Sequence, residues 1–289
     1  MPNARGTAVW IDTDPSIGLP FREVDDAFAL VLALHSPEIR IAGVSTTYGN
    51  ASLNDTTRIA QDLVTRFARN KFDVHAGAKS RRDLGRSTEA TQALATALLK
   101  EHLTYIALGP LTNLATFLRL HPNLAQQIDQ IVLVGGQTSG APLRVGPHRW
   151  LTIHDANILK DSAAVTEVMK SECPITLAPI ETGTQLQITA VDLQIARHTA
   201  AGEFLDRRSR LWSWFWRRVV GFEGGPLFDA LPILAVVRPD LVSSEKRYCA
   251  LSNNGRLIAK KTWYAGGRPV RAYWALTPRT RQWIRDRLQ

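Results

Sequence analysis

The chain has 289 residues, of which 45% are hydrophobic and 21% charged, a balance that supplies a sizeable core and excludes a disordered chain. No apolar run approaches the ~20 residues that cross a bilayer, and the start MPNARGTAVWIDTD lacks the apolar segment of a signal peptide, so a reducing cytoplasm is the expected location. The net charge of +9 comes largely from late arginines (Arg207-Arg208, Arg210, Arg217-Arg218, Arg279, Arg281, Arg285, Arg287) that do not alternate with aromatics, and reads as a solvated basic surface rather than a nucleic-acid site.

Residues 7–11 (TAVWI) read as a first strand, and residues 27–35 as an apolar helix stopped before Pro37. A second strand is expected at 41–46, then a helix at 54–67 capped by Asn54 or Asp55, and another at 89–102. Residues 105–108 read as a strand, a helix follows from Thr112 or Asn113 to about Leu120, and 131–134 (IVLV) before Gly135-Gly136 is a buried strand. The spacing predicts a helix over 161–170 and a strand over 175–178. Beyond this the pattern blurs: helices are expected over the Trp-rich 211–220, over 229–237 despite Pro232, and over 278–288, with strands at 257–262 and 270–276. This alternation points to an α/β fold with a mainly parallel central sheet and helices on both faces. Nothing in it divides the chain, so residues 1–289 are expected to form one domain. The two cysteines, Cys173 and Cys249, offer neither a disulfide framework nor a metal-type spacing.

The most informative segment is Asp12-Thr13-Asp14, at the end of the first strand, joined by a loop to Asp25-Asp26 at the start of the first helix. In open α/β sheets ligands bind beyond the carboxyl ends of strands. Four carboxylates there repel one another unless a cation neutralises them, and a helix N-terminus offsets only about half a charge. Oxygen ligands without nearby His or Cys suit Ca²⁺ or Mg²⁺ rather than zinc. A plainer reading, with Asp25 as a helix cap and Asp14 as a strand end, accounts for one aspartate but poorly for four.

The segment VWIDTDPSIGLPFREVDDAFALVLAL resembles the Asp-x-Asp-Pro-Gly-x-Asp-Asp-Ala signature of the inosine–uridine-preferring nucleoside hydrolase family. Further matches follow in order: Thr46-Thr47-Tyr48-Gly49-Asn50, Leu108-Gly109-Pro110-Leu111-Thr112-Asn113, Val134-Gly135-Gly136, Asp155-Ala156-Asn157 and Phe228-Asp229. The resemblance implies a Ca²⁺ ion held by Asp14, Asp26, Asp229 and the carbonyl of Leu108. It implies that Asp25, with Asn50, Asp155 and Asn157, receives a ribose, while Asp12 buttresses the loop. The reaction implied is hydrolysis of the N-glycosidic bond of a small ribonucleoside or ribosyl compound, with Asp14 taking the proton of the attacking water. Dimers or tetramers are common in that family, so a homo-oligomer is expected; no membrane partner is.

Three departures stand out. The loop between Asp14 and Asp25 is longer than the family signature, and Phe21, Arg22 or Glu23 are candidates to line a pocket. Phe228 stands where purine-processing relatives have a histidine that protonates the departing base, and phenylalanine donates no proton. For His148, His154, Tyr48 and Arg217, the other candidate donors, a surface or structural role is the better expectation. Asp155-Ala156 replaces a Glu-aromatic pair, leaving room near the ribose 5′ end for a modified ribosyl group. Aromatics of the Trp-rich stretch are candidates for stacking on a base, although core packing is the more frequent reason for such spacing, and Arg217 or Arg218 for meeting a phosphate. The alternative to an enzyme is a non-catalytic ribose- or nucleoside-binding protein that retains the metal site; nucleic-acid binding has only net charge behind it.

Overall fold

A computed structural model describes residues 6–70, 72–138 and 141–289; residues 1–5, part of the start read above, lie outside them. Its strands are β1 (Thr7–Thr13), β2 (Ile39–Thr46), β3 (Val74–Ala76), β4 (Leu103–Ala107), β5 (Ile128–Val134), β6 (Leu143–Val145), β7 (Leu151–Ile153), β8 (Ile175–Ala178), β9 (Gln187–Thr189), β10 (Gly224–Pro226), β11 (Val242–Leu251), β12 (Leu257–Lys260) and β13 (Arg268–Leu276). Nine join one sheet in the order β12-β11-β13-β8-β5-β4-β1-β2-β3. Pairing is parallel from β3 across to β13 and antiparallel where β11 meets β13 and β12. The remaining strands form two short antiparallel pairs, β6 with β7 and β9 with β10.

The sheet is buried on both faces, which is why its central strands are near-continuous apolar runs. One core cluster gathers Phe28, Leu32, Leu63 and Leu234, and a second gathers Leu94, Tyr105, Phe117 and Leu177. The helix Asp25–Leu34 is buried along its whole length and packs against Ala230–Val237, itself almost wholly buried. From β1 the chain moves outward through β2 to β3, then returns to place β4 on the other side of β1. The carboxyl ends of β1 and β4 therefore flank a switch point, where such sheets open a crevice for ligands.

Element boundaries differ from the sequence reading in instructive places. Ser52, not Asn54 or Asp55, caps the helix Leu53–Phe67, its hydroxyl accepting from the Asp55 amide at 3.3 Å. The helix Glu89–Leu98 stops four residues short of the expected end, and β4 begins at Leu103, so Leu108 falls just past its strand. Strand β11 (VSSEKRYCAL) goes unread because its half-buried, charge-rich sequence carries no apolar alternation. The Trp-rich stretch is helical, but it ends a helix that starts at Ala200, and its last turn, Phe215–Val220, widens into a π-helix. Among the described residues no helix is long and apolar enough to cross a membrane.

Candidate active site

The acidic residues sit on a buried hydrogen-bond lattice. Trp10 Nε1 donates to Ser45 Oγ at 2.9 Å, and Ser45 Oγ donates to Asp12 Oδ1 at 2.6 Å, where Asn113 Nδ2 also donates at 2.8 Å. Asp12 thus ties β1 to β2 and to the helix Thr112–Leu120, the buttressing role expected of it. Asp26 Oδ1 accepts from Thr13 Oγ1 at 2.6 Å and from the Asp14 amide at 3.0 Å, while Asp26 Oδ2 accepts from Asn50 Nδ2 at 2.9 Å. Asn50 also donates its backbone N–H to Asp14 Oδ2 at 2.6 Å. One asparagine therefore holds two carboxylates in register.

Asp14 Oδ1 is buried and has no hydrogen-bond partner. A Cβ on Gly109 would lie 2.6 Å from it, and one on Gly49, whose φ is +157°, would overlap Oδ2. Both Thr-x-x-Gly-Asn and Gly-Pro-Leu-Thr-Asn segments thus place bare backbone where a side chain would displace the carboxylate. Lys160 approaches from the helix Ala156–Lys160, its Nζ donating to the Gly49 carbonyl at 3.1 Å. It lies three residues after Asn157, a spacing that brings both to one helix face, and that was the signal available in the sequence.

Burial pushes the carboxyls of Asp14, Asp25 and Asp229 well above the usual carboxylate range, and repulsion by neighbouring carboxylates adds to it: Asp26 and Asp25 for Asp14, Glu23 and Asp26 for Asp25, and Asp25, Asp26 and Asp14 for Asp229. Asp26 is also raised by burial, with its hydrogen bonds pulling the other way. For Asp14, the charge of Lys160 offsets part of the rise. Carboxylate oxygens of Asp25, Asp26 and Asp229 all lie within 4.8 Å of one another, and the Asp229 amide donates to Asp25 Oδ2 at 3.4 Å. Buried like charges at that spacing, beside an unpartnered oxygen of Asp14, fit a hard divalent cation: every donor is oxygen, and the cation supplies the missing counter-charge.

Above this acidic floor lies a cavity of about 300 Å³. Asp25, Asn50, Leu108, Asn157, Phe228 and Asp229 all line it. Asn157 Nδ2 donates to the Leu108 carbonyl at 2.7 Å, fixing that oxygen at the switch point. Asp155 lines the cavity too. Its Oδ2 accepts from the Gly136 amide at 2.6 Å and its Oδ1 from the Ile158 amide at 3.3 Å, so each oxygen already holds a backbone amide. Burial holds its carboxyl at about 7.

The opposite wall is aromatic. Phe215 and Trp216 enter the cavity from the π-helical turn, a distortion common at functional sites, and Trp216 meets Phe228 edge-on at 6.5 Å between centroids. Gly183 leaves space for the Phe228 ring, which a Cβ there would meet at 2.5 Å. The inserted loop contributes Glu23, whose Oε2 accepts from Trp212 Nε1 at 2.5 Å; Phe21 instead projects outward, 89% exposed. Among the other candidate donors, His154 borders the cavity, whereas His148, Tyr48 and Arg217 do not. Tyr48 lies 3.4 Å from the Thr112 hydroxyl, and burial pushes its phenol up to about 12.

A buried carboxylate with an unpartnered oxygen, a cluster of carboxylates close enough to share a cation and a cavity beside them meet at the switch point of a mostly parallel sheet, an arrangement that fits the nucleoside hydrolase class of fold. The model of the family described as inosine–uridine preferring nucleoside hydrolase matches residues 9–272. The chain belongs to that family, and so to the N-ribosyl hydrolases. It is 28% identical to a pyrimidine-specific ribonucleoside hydrolase RihA of Enterobacter sp. (strain 638), covering 88% of this chain and 86% of the relative. A protein of the same name from Photobacterium profundum is 30% identical over 85% of this chain and 84% of its own. Among solved structures, the plant nucleoside hydrolase PpNRh1 superposes with a TM-score of 0.82 at 25% identity, covering 98% of both chains. A purine-preferring ribonucleoside hydrolase from Gardnerella vaginalis, at 22% identity and a TM-score of 0.80 with the same coverage, shares the fold.

Proposed function

We propose that the protein hydrolyses the N-glycosidic bond of a ribonucleoside or related ribosyl compound, giving ribose and free base, with calcium held by Asp14, Asp26, Asp229 and the Leu108 carbonyl. The observation that carries this reading is Asp14 Oδ1, buried and unpartnered between Gly49 and Gly109, because a carboxylate kept without a hydrogen bond is poised to take a proton. Bound calcium supplies counter-charge to the floor and orients hard oxygen donors. Asp14 accepts the proton of a water that attacks C1′, and the C1′–N bond breaks with its electron pair leaving on the base. Asp25 accepts a hydrogen bond from a ribose hydroxyl, and Asn50 keeps Asp14 and Asp26 from separating. The carboxylates favour the positive charge that develops on an oxocarbenium-like ribose.

The relatives above are named as pyrimidine-specific and as purine-preferring, so kinship selects no base. Retention of Asp14 and its glycine frame favours an enzyme over a binding protein that kept only the metal site. We also read the chain as one domain, since nine strands, the first from Thr7 and the last to Leu276, join a single sheet. Release of ribose from a ribonucleoside panel tests the reaction. Asp14→Asn is expected to lower the rate by at least about 1000-fold, within the range of a lost general base, with the melting temperature of the calcium-free protein preserved. Wild-type turnover in that variant would refute the role of Asp14.

A further inference from the structure

Glu23 lines the same cavity as Asp25 and Asp229, and the hydrolysis proposed above gives it no part. It comes from the loop that lengthens the Asp14–Asp25 segment. Ser16 Oγ donates to the Glu23 carbonyl at 2.7 Å and pins its backbone, and Trp212 Nε1 fixes one carboxylate oxygen. Facing the cavity with it are the rings of Phe215, Trp216 and Phe228. Although the chain carries a net charge of +9, no lysine or arginine is among the described residues that line this cavity. An anionic, aromatic enclosure inside a basic protein selects for a cation, which gains from the carboxylate and from the ring faces together.

The second observation is Phe228 itself. A neutral base leaves as an anion unless it is protonated, and the residue beside Asp229 cannot donate a proton. A base joined to C1′ through a quaternary ring nitrogen needs none. Taking the hydrolase reading as given, we propose that the substrate is a riboside of a permanently cationic heterocycle, of the pyridinium class. Water adds to C1′, Asp14 takes its proton, and the C1′–N⁺ bond breaks. The bonding electron pair returns to the ring nitrogen, so the products are ribose, a proton and a neutral heterocycle. Glu23 is the specificity-determining residue, and the Trp216–Phe228 corner is the surface on which the charged ring rests.

The test compares kcat/KM of the full chain with calcium for carbamoylpyridinium riboside, uridine, inosine and p-nitrophenyl riboside. A second readout is calorimetric binding of N-methylcarbamoylpyridinium against the neutral pyridine carboxamide. The pyridinium riboside is expected to exceed uridine and inosine by at least about 100-fold, the scale of assistance that a leaving-group acid otherwise supplies, and the cationic probe to bind more tightly than the neutral one. Glu23→Gln retains an acceptor for Trp212 and is expected to cut the pyridinium-to-aryl ratio of kcat/KM at least about tenfold, the scale of one lost buried charge contact; Glu23→Asp, which keeps the charge, should restore part of it. Uridine or inosine cleaved as well as the pyridinium riboside, or a ratio unchanged in Glu23→Gln, would overturn the assignment while leaving the hydrolase reading intact. Failure to cleave even the aryl riboside would remove both.

Discussion

The floor and the wall of the cavity are built by opposite means. On the floor each carboxylate is placed by its own neighbours: Asp12 by Ser45 and Asn113, Asp26 by Thr13, the Asp14 amide and Asn50, and Asp14 by Asn50 and two glycines. The wall is assembled from the inserted loop, a π-helical turn and the segment before the helix Ala230–Val237, and the Trp212–Glu23 hydrogen bond ties the first of these to the helix it faces. A hydrogen-bonded polar floor and an aromatic wall suit two separate tasks. In the proposed reaction the floor positions ribose and the attacking water, where misplacement by about 1 Å is costly, and the wall meets the base.

Breaking the floor is expected to have the largest effect. Gly109→Ala puts a methyl group 2.6 Å from Asp14 Oδ1 and is expected to lower turnover about 100-fold through misplacement of that carboxylate; a rate within twofold of wild type would mean the glycine frame does not set its position. Changing the wall should instead redirect activity. Phe228→His restores a proton donor and is expected to raise kcat/KM for inosine about tenfold or more, and no gain would show that base departure is not what limits neutral substrates. Metal binding distinguishes the two regions again. Calcium should raise the melting temperature of the stripped protein, and Asp229→Asn should abolish that rise, whereas Phe228→Ala should leave it in place. An undiminished calcium response in Asp229→Asn would place the cation elsewhere.

The smallest effect concerns pH. Burial holds Asp12 at about 6 and Asp155 at about 7, both above the ordinary aspartate value of 3.8. Between the ordinary value and these raised ones, the folded protein binds more protons than the unfolded chain, so stability falls as pH rises through that window. The raised carboxyls of the floor add in the same direction while no cation is bound. The chelated protein is therefore expected to melt at lower temperature at about pH 8 than at about pH 5. A higher melting temperature at the alkaline end would contradict the protonation states inferred for these buried groups.

The same division explains what the sequence discloses. Among the floor residues, Asp14, Asp25 and Asp26 are legible as an acidic cluster between a strand end and a helix start, whereas Asn50 and Leu108 are legible only through the resemblance of their motifs to the family. The wall is legible only as sets of candidates. Glu23 is one of three loop residues offered for a pocket, and nothing periodic singles it out from Phe21 and Arg22; Trp216 is one of several aromatics in the Trp-rich stretch, and the π-helical turn from which it lines the cavity is announced by no apolar spacing. Asp155, read from its motif position, lines the cavity with each carboxylate oxygen already holding a backbone amide. Toward the β12 edge of the sheet, β11 and β13 mix charged with apolar residues on half-buried faces, and only the observed pairing reveals β11.

The most direct measurement is a calcium titration of the metal-stripped protein with p-nitrophenyl riboside as substrate, melting temperature and nitrophenolate release being followed together. The nitrophenolate leaves without a proton, so this substrate interrogates the floor alone. Both signals are predicted to rise along one saturation curve, and both to be lost on chelation. Nitrophenolate release that is absent with calcium bound, or undiminished after its removal, would contradict a calcium-assisted ribosyl hydrolase centred on Asp14.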